Sequence, residues 1–393
     1  MIPYFPWPVR NGGMARQDAL LRALSARGHR ITVLSLTHEA PSEAVLEGVR
    51  EFLDRVEIAP RRKLAHPISL SKALLSRRPA ITSINAASLL FRIKFENLIQ
   101  QDFHIVQIEH SYALGALRTP LRRHRLPFIL TEHNVESRVA QVPYSRFPAP
   151  LRAFGLVDRL RYQFWEKTAV REASCVVAVS QDEEKFFQTL GARTAVVPNC
   201  IDTSAHREVL PDRNADRVLF IGNYRYPPNV SAVEWLCDDI MPRLWQQKPE
   251  VKLSVCGFEL PEQWRKRWLD PRVSFSGFVS RVTDAHSESS VFVAPLRAGA
   301  GSKLKVIEAM ASGLPVVATQ QGVSGLNVED GVHYRHGETP DEITQALASL
   351  LRDRQRAERM GETARNFAVQ NHDWSIAAAA LERVYAAQRA QVA

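Results

Sequence analysis

Cysteine is scarce in this chain. Its four residues, Cys175, Cys200, Cys237 and Cys256, are scattered over 393 positions with no C-x-x-C spacing. That pattern excludes a disulfide framework and a cysteine-built zinc site, and reads as reduced thiols of a cytosolic protein. Long apolar runs are lacking too; none approaches the roughly 18 residues a membrane-spanning helix needs. The opening segment MIPYFPWPVRNGG has no charged-then-apolar export pattern. There is no low-complexity tract and no internal repeat of about 20–50 residues. What remains is ordinary globular composition, 45% hydrophobic and 24% charged. At about 100–200 residues per domain, this length suits two domains.

Charge is unevenly spread. Residues 1–195 hold 28 Lys+Arg against 18 Asp+Glu, while the remainder holds 23 against 24. A basic first half fits a lobe facing something anionic, such as a phosphorylated substrate or an acidic lipid surface. Solubility alone is the plainer account. Arginines interleave with aromatic and aliphatic residues through 144–165, a mixture that suits a helix on an anionic membrane or a core helix with a solvated face. Nucleic acid is not expected as a partner, because no reader module is present.

Short β-rich runs alternate with amphipathic stretches along the whole length. Strands are expected at 31–36, 105–108, 128–130, 175–179 and 195–197, then at 218–221, 252–256, 273–275, 291–294 and 315–318. Helices are expected at 14–27, 159–171, 231–246, 303–311 and 341–353. This alternation predicts α/β architecture with parallel sheets covered by helices. The polar stretch PNCIDTSAHREVLPDRNAD at 198–216 has no apolar period and marks a boundary. The expected domains are 1–197, with a first strand that is short or missing, then 198–372, and a C-terminal helix over 373–393 packing back on the first domain. Paired doubly wound domains bind ligands at the carboxyl ends of their strands, in a cleft.

The most informative segment is VFVAPLRAGAGSKLKVIEAMASGLPVVAT at 291–319. An apolar strand enters a loop with Gly299 and Gly301, and a helix begins near Ser302 or Lys303. Backbone N–H groups at a helix start make an anion site. Lys303 and Lys305 oppose the helix dipole there unless an anion is bound. Glu308, one to two turns in, can accept hydrogen bonds from ribose hydroxyls. A surface helix pairing Lys305 with Glu308 is the plainer alternative. The segment is neither a dinucleotide fingerprint nor a Walker loop: the third glycine, the acid about 20 residues on, and G-x-x-x-x-G-K are all missing.

GSKLKVIEAMASGLPVVAT resembles the donor-site signature of retaining glycosyltransferases of family four. PWPVRNGG, TEHNVES at 131–137, VVAVSQDEEKF, VVPNCID, FIGNYRYPPNVSAVEWL and the GFV at 277–279 resemble further family segments in chain order. The resemblance implies the GT-B fold, with two doubly wound Rossmann-like domains facing each other across a cleft and closing on the donor. It implies transfer of a sugar from a nucleotide-sugar donor, with retained configuration and without a metal ion or other cofactor. The acceptor would be a growing surface polysaccharide or a glycolipid, on a cytoplasmic protein that is peripheral on the inner face of a membrane.

The resemblance also assigns roles. His133 stands near the donor sugar, Lys303 and Glu308 complete the catalytic set, and His110 is a weaker candidate beside them. Asn11, Gly12 and Gly13 form the loop over the donor phosphates. Gly222, Arg225, Gly277, Phe278, Val279, Gly299, Ala300, Gly301, Ser302 and Lys305 line the donor site. Two departures stand out. Ala300 occupies the place of the first Glu of the E-x7-E motif, and Asn229 occupies the place of a phosphate-binding Lys. We infer from the sequence that Lys303, with Lys305 or Arg225, supplies that charge instead. These departures keep two alternatives open: a catalytically silent sugar-nucleotide-binding scaffold, and a GT-B epimerase or hydrolase.

Overall fold

A computed structural model describes the chain except residues 11, 63–65, 67, 68, 70, 72, 74, 140–148, 207, 208, 300–302 and 393; for 139, 149–153 and 392 it describes the backbone alone. The chain divides into two compact units. One comprises Met1–Pro198 with Ala377–Ala393, the other Asn199–Ile376.

All paired strands of the first unit run parallel. β1 (Thr32–Thr37) pairs β2 (Arg55–Pro60), and β3 (Gln107–Glu109), β4 (Ile129–Thr131), β5 (Cys175–Ala178) and β6 (Thr194–Val196) follow in that order. The two sheets meet only through Met1 and Ile2. Ile2 N–H donates to Leu34 O and its carbonyl accepts from Leu36 N, while Met1 O accepts from Glu109 N. The first strand is therefore short, as expected. Beside it, Leu20, Leu24, Phe95 and Leu98 line a cavity of about 620 Å³. The helix Gly12–Ala26 turns Leu20, Leu24 and Arg16 inward. Arg16 spends its guanidinium on the carbonyls of Val197 and Pro198, at 2.8 and 2.7 Å. The helix Trp374–Val392 joins this unit through Glu382, which pairs with Arg27 and His29, and through Tyr385 on Gln107.

The second unit holds six parallel strands in the order β12–β11–β10–β7–β8–β9. They are β7 (Arg217–Asn223), β8 (Lys252–Phe258), β9 (Val273–Ser276), β10 (Val291–Ala294), β11 (Val316–Ala318) and β12 (Arg335–His336). Chain order reverses between β7 and β10, and such a switch point leaves a crevice at the strands' carboxyl ends. β10 and β11 are buried along their whole length. Helices cover both faces, so these strands are continuous apolar runs rather than alternating ones. The helix Pro340–Arg352 starts on a capping box in which Thr339 accepts from Glu342 N and the Glu342 side chain answers the Thr339 N–H.

Observed strands lie within a residue or two of the expected ones. β2 and β12 were not expected; RVEIAP begins on a charge and β12 has two residues, so neither shows an apolar run. The helix expected at 231–246 extends over 227–247 and carries one wide turn at Leu236–Ile240. Cys200, Cys237 and Cys256 are buried and Cys175 half-buried, all as free thiols. No helix among the described residues is long and apolar enough to cross a membrane.

β7 and β8 approach closely at their carboxyl ends. Gly257 has φ +141°, and a Cβ there would stand 1.8 Å from the Gly222 carbonyl oxygen. Backbone cannot yield as a side chain can. Gly257→Ala is expected to destabilise the second unit by about 3 kcal/mol or more. Gly48→Ala, in the helix Glu43–Arg50 with open space around its Cβ, is expected to stabilise by about 0.5–1 kcal/mol. Calorimetric unfolding of the two variants checks both signs.

Candidate functional site

In the second unit the predicted donor residues gather around the switch point. The loop after β10 leads to Lys303, the N-terminal boundary residue of the helix Leu304–Ala311, one or two residues later than expected. Lys303 is buried. Lys305 donates to Asn229 Oδ1 at 2.6 Å, and its Nζ stands 4.5 Å from the centre of the Phe220 ring. Asn229 is held from the other side by its own Nδ2 donating to Asn223 O at 2.9 Å, just past the end of Gly222. Lys305 thus bonds Asn229 instead of pairing with Glu308 along the helix. Burial and the neighbouring Lys303 charge lower the Lys305 ammonium to about 7, with Glu308 pulling the other way. Burial raises Glu308 to about 7, partly offset by Lys305.

The rest of this rim is less enclosed. Gly299 has φ +119°, and a Cβ would meet the Tyr226 hydroxyl at 2.7 Å. Its carbonyl accepts from Gln321 Nε2. Gly277 O accepts from Gly257 N at 3.1 Å, which ties the GFV loop to β8. Phe278 is 75% exposed and set edge-on to Phe258, and Val279 packs on the core. An exposed aromatic at a strand end can stack on a base. Arg225 is exposed, pairs with Glu259 and lies over Phe258, so its charge is already met. Asp238, which the sequence offered as half of an acidic pair, is engaged by Arg267 and Trp268. Behind the cradle, the Ser312 hydroxyl sits between His206 Nδ1 and His286 Nδ1, at 2.7 and 2.8 Å, and fixes the far end of the donor helix. Asn11, Ala300, Gly301 and Ser302 lie outside the described residues.

The first unit carries its own cluster at the ends of β3 and β4. Parallel register sets Glu109 beside Thr131, and the residues that follow come together. His133 Nε2 donates to Glu109 Oε2 at 2.9 Å, leaving Nδ1 as the acceptor. Burial, with the nearby His110, lowers His133 to about 4, so the ring is neutral. Burial works to raise Glu109, but the bonds from His133 and Gln107 hold it down at about 2. The His110 and His133 rings lie 4.3 Å apart, and His110 stacks on Tyr112. Glu132 is fully buried and raised well above the ordinary carboxylate range by burial and the Glu136 charge. Gly12 and Gly13 open the helix Gly12–Ala26. Sequence reading missed Glu109, Glu132 and Glu136; an acid ending the strand before the predicted His strand was the available signal.

A family model described as Glycosyltransferase Family 4 matches residues 11–205, and one described as Glycosyl transferases group 1 matches 215–353. A GDP-mannose-dependent alpha-(1-6)-phosphatidylinositol monomannoside mannosyltransferase of Mycolicibacterium smegmatis is 35% identical over 72% of this chain and 70% of its own length. The chain belongs to glycosyltransferase family four. This glycosyltransferase is also 25% identical to a phosphatidyl-myo-inositol mannosyltransferase of Mycobacterium leprae, over 98% of this chain and 95% of that one. Sucrose-phosphate synthase from Thermosynechococcus elongatus superposes with a TM-score of 0.71 at 16% identity, covering 99% of both chains. The fold of the glycosyltransferase is GT-B, with two Rossmann-like domains.

The buried carboxyl of Glu308 has a measurable consequence in the ligand-free protein. The folded unit keeps its proton up to about pH 7, whereas the reference carboxyl loses it near 4.5. The associated stability is complete below pH 4.5 and lost as pH rises through 7. Glu308→Gln carries no such titration. Relative to wild type it is expected to gain on the order of 1–2 kcal/mol between pH 4.5 and 7.5. Urea unfolding at several pH values reads the difference, and parallel profiles would refute a buried Glu308.

Proposed function

We propose that this glycosyltransferase moves a mannosyl or related hexosyl group from a nucleoside-diphosphate donor to a lipid-linked or glycan acceptor, with retained anomeric configuration and no metal ion or other cofactor at the donor diphosphate. The carrying observation is the buried Lys305 ammonium, fixed on Asn229 beside Lys303 and the donor helix N-terminus. The mannosyltransferase relatives support the choice of sugar and lipid.

Glu308 accepts hydrogen bonds from the donor ribose, and Phe278 stacks against the base. Lys303 and Lys305 meet the diphosphate, whose negative charge grows as the sugar leaves; preorganised cations aimed at developing charge form a large catalytic term. Glu109 fixes the His133 tautomer, and neutral His133 offers Nδ1 to a donor-sugar hydroxyl. The acceptor proton passes to a phosphate oxygen of the leaving group, so no protein nucleophile is required. In the silent-scaffold alternative the same cradle binds a nucleotide without turnover.

Thermal shift against GDP-, UDP- and ADP-sugars and their diphosphates tests the donor site. At 100 times its Kd a ligand adds about 2.7 kcal/mol. One nucleotide class is expected to stabilise wild type, to lose that effect in Glu308→Ala, and to keep it in EDTA. Diphosphate binding restores the Lys305 proton, so affinity is expected to fall as pH rises above about 7. Product with a mannosylated lipid eliminates the scaffold, release of free sugar without acceptor favours a hydrolase, and no shift with any nucleotide overturns the donor reading.

A peripheral position on an anionic membrane face of the cytoplasm is part of the proposal. On the helix Ala149–Glu172, Leu156, Leu160 and Phe164 recur every four residues and are exposed, Phe164 to 75%, with exposed Arg159 and Lys167 alongside. Tyr162 and Trp165 are buried on the other side. Such a stripe suits insertion at an interface with basic residues near headgroups. Wild type is expected to sediment with phosphatidylglycerol vesicles at low salt, and Leu160→Ser with Phe164→Ser to reduce this at least about tenfold. Equal sedimentation of both would sink the idea.

A further inference from the structure

The polar cluster of the first unit contains more unsatisfied acid and imidazole than the transfer reaction uses. His110 Nδ1 and Glu132 Oε2 have no hydrogen-bond partner, although His110 is 5% exposed and Glu132 fully buried. The two atoms are 3.9 Å apart, and Glu136 Oε1 is 3.5 Å from the same nitrogen. We propose that His110, Glu132 and Glu136 bind a divalent transition-metal ion, zinc by the chemistry of the donor set.

The separations carry the argument. A direct N–H···O bond brings nitrogen and oxygen to about 2.7–3.2 Å. Ligand atoms at about 2.0–2.2 Å from a shared tetrahedral ion stand about 3.4 Å from one another. The observed spacings exceed the first range and match the second more closely, and one donor atom from each residue lies within 4.8 Å of the others. One imidazole with two carboxylates is a borderline-to-hard set suited to zinc or manganese, with a position left for water.

The surroundings hold the ligands as metal sites require. Glu132 Oε1 accepts from Ser111 N at 2.8 Å, which leaves Oε2 directed at His110. His110 Nε2 faces the Tyr4 hydroxyl at 3.4 Å, so Nδ1 turns inward. Outer partners of this kind orient ligating groups. His110 also has φ +63° at the end of β3, a left-handed conformation that a non-glycine residue adopts at a cost and that collects at functional sites. Behind them Ser137 donates to Glu166 Oε2, while Glu166 Oε1 is left without a partner. A bound cation would balance this group of buried carboxyls and fix the His110 ring that packs on His133.

The donor cradle belongs to the other unit, so the two readings fail separately. Full-length protein stripped with a chelator would be titrated calorimetrically with Zn²⁺, and metal content measured after dialysis. One ion per chain is expected, with affinity at least about tenfold weaker in Glu132→Gln and in His110→Gln. Glu136→Gln, at a half-buried position, guards against loss of folding in the buried variants; all three are expected to keep the nucleotide-induced thermal shift. Cobalt substitution is expected to lack the intense near-ultraviolet band of thiolate ligands, which separates this site from the four cysteines. No binding by wild type, unchanged binding in all variants, or a thiolate band would each overturn the proposal.

Discussion

The donor end of the second unit depends on one ammonium kept out of water. A lysine buried without partners is costly, and it would give up its proton or rotate outward. Lys305 stays because Asn229 accepts its hydrogen bond and Phe220 offers a ring face. Asn229 can do this only because its amide is pinned by Asn223 O, next to a glycine whose absent Cβ leaves room: a Cβ on Gly222 would stand 3.2 Å from the Asn229 side chain. The close pass of β7 and β8 at Gly222 and Gly257 is thus part of the same arrangement. Backbone proximity, an oriented amide and a buried charge stabilise one another around the crevice where strand order reverses.

The first unit assembles the opposite chemistry by the same topology. Parallel strands end together, so the residues following β3 and β4 converge although 24 positions separate Glu109 from His133. Here carboxyls and imidazoles are gathered instead of lysines. The His133–Glu109 pair resolves its own charge, with a neutral ring donating to a carboxylate. Glu132 and Glu136 have no such resolution inside the protein, and Glu132 answers by holding its proton. Both clusters therefore have groups whose ordinary charge state is disfavoured when the site is empty, which is the condition under which a ligand of complementary charge is bound tightly.

Architecture was legible where physics is local. β10 and β11 read directly as strands because both faces are covered and every residue is apolar. Gly299 announced a tight loop, and the helix beginning at Leu304 followed from the apolar spacing after it. β2 escaped because arginine and glutamate interrupt it, and the two-residue β12 because it has no length in which to show a period. Glu109 escaped for a different reason: nothing within the strand QIE distinguishes a site acid from a solvated one, and only the register with β4 does. The stretch 144–165 was read as either a membrane or a core helix; over its described part it is both, with Trp165 inward and Phe164 outward, because adjacent helix positions face about 100° apart.

Two departures from the family pattern looked independent in the sequence: asparagine at 229 in place of a lysine, and a lysine at 305 within the donor helix. In space they are one feature, since the Lys305 ammonium reaches the Asn229 side chain. The positive charge has moved from one strand-end helix to another while its location beside the crevice is kept. A protein that had merely shed its phosphate-binding residue would have no reason to retain a buried lysine aimed at the vacancy, because an unused buried ammonium is a standing cost. The same reasoning bears on Glu308, whose carboxyl is held half-buried at the expense of its ordinary acidity. Retaining two disfavoured charges next to each other argues for selection by an anionic, hydroxyl-rich ligand, and against the silent-scaffold alternative in any form that also abandons binding.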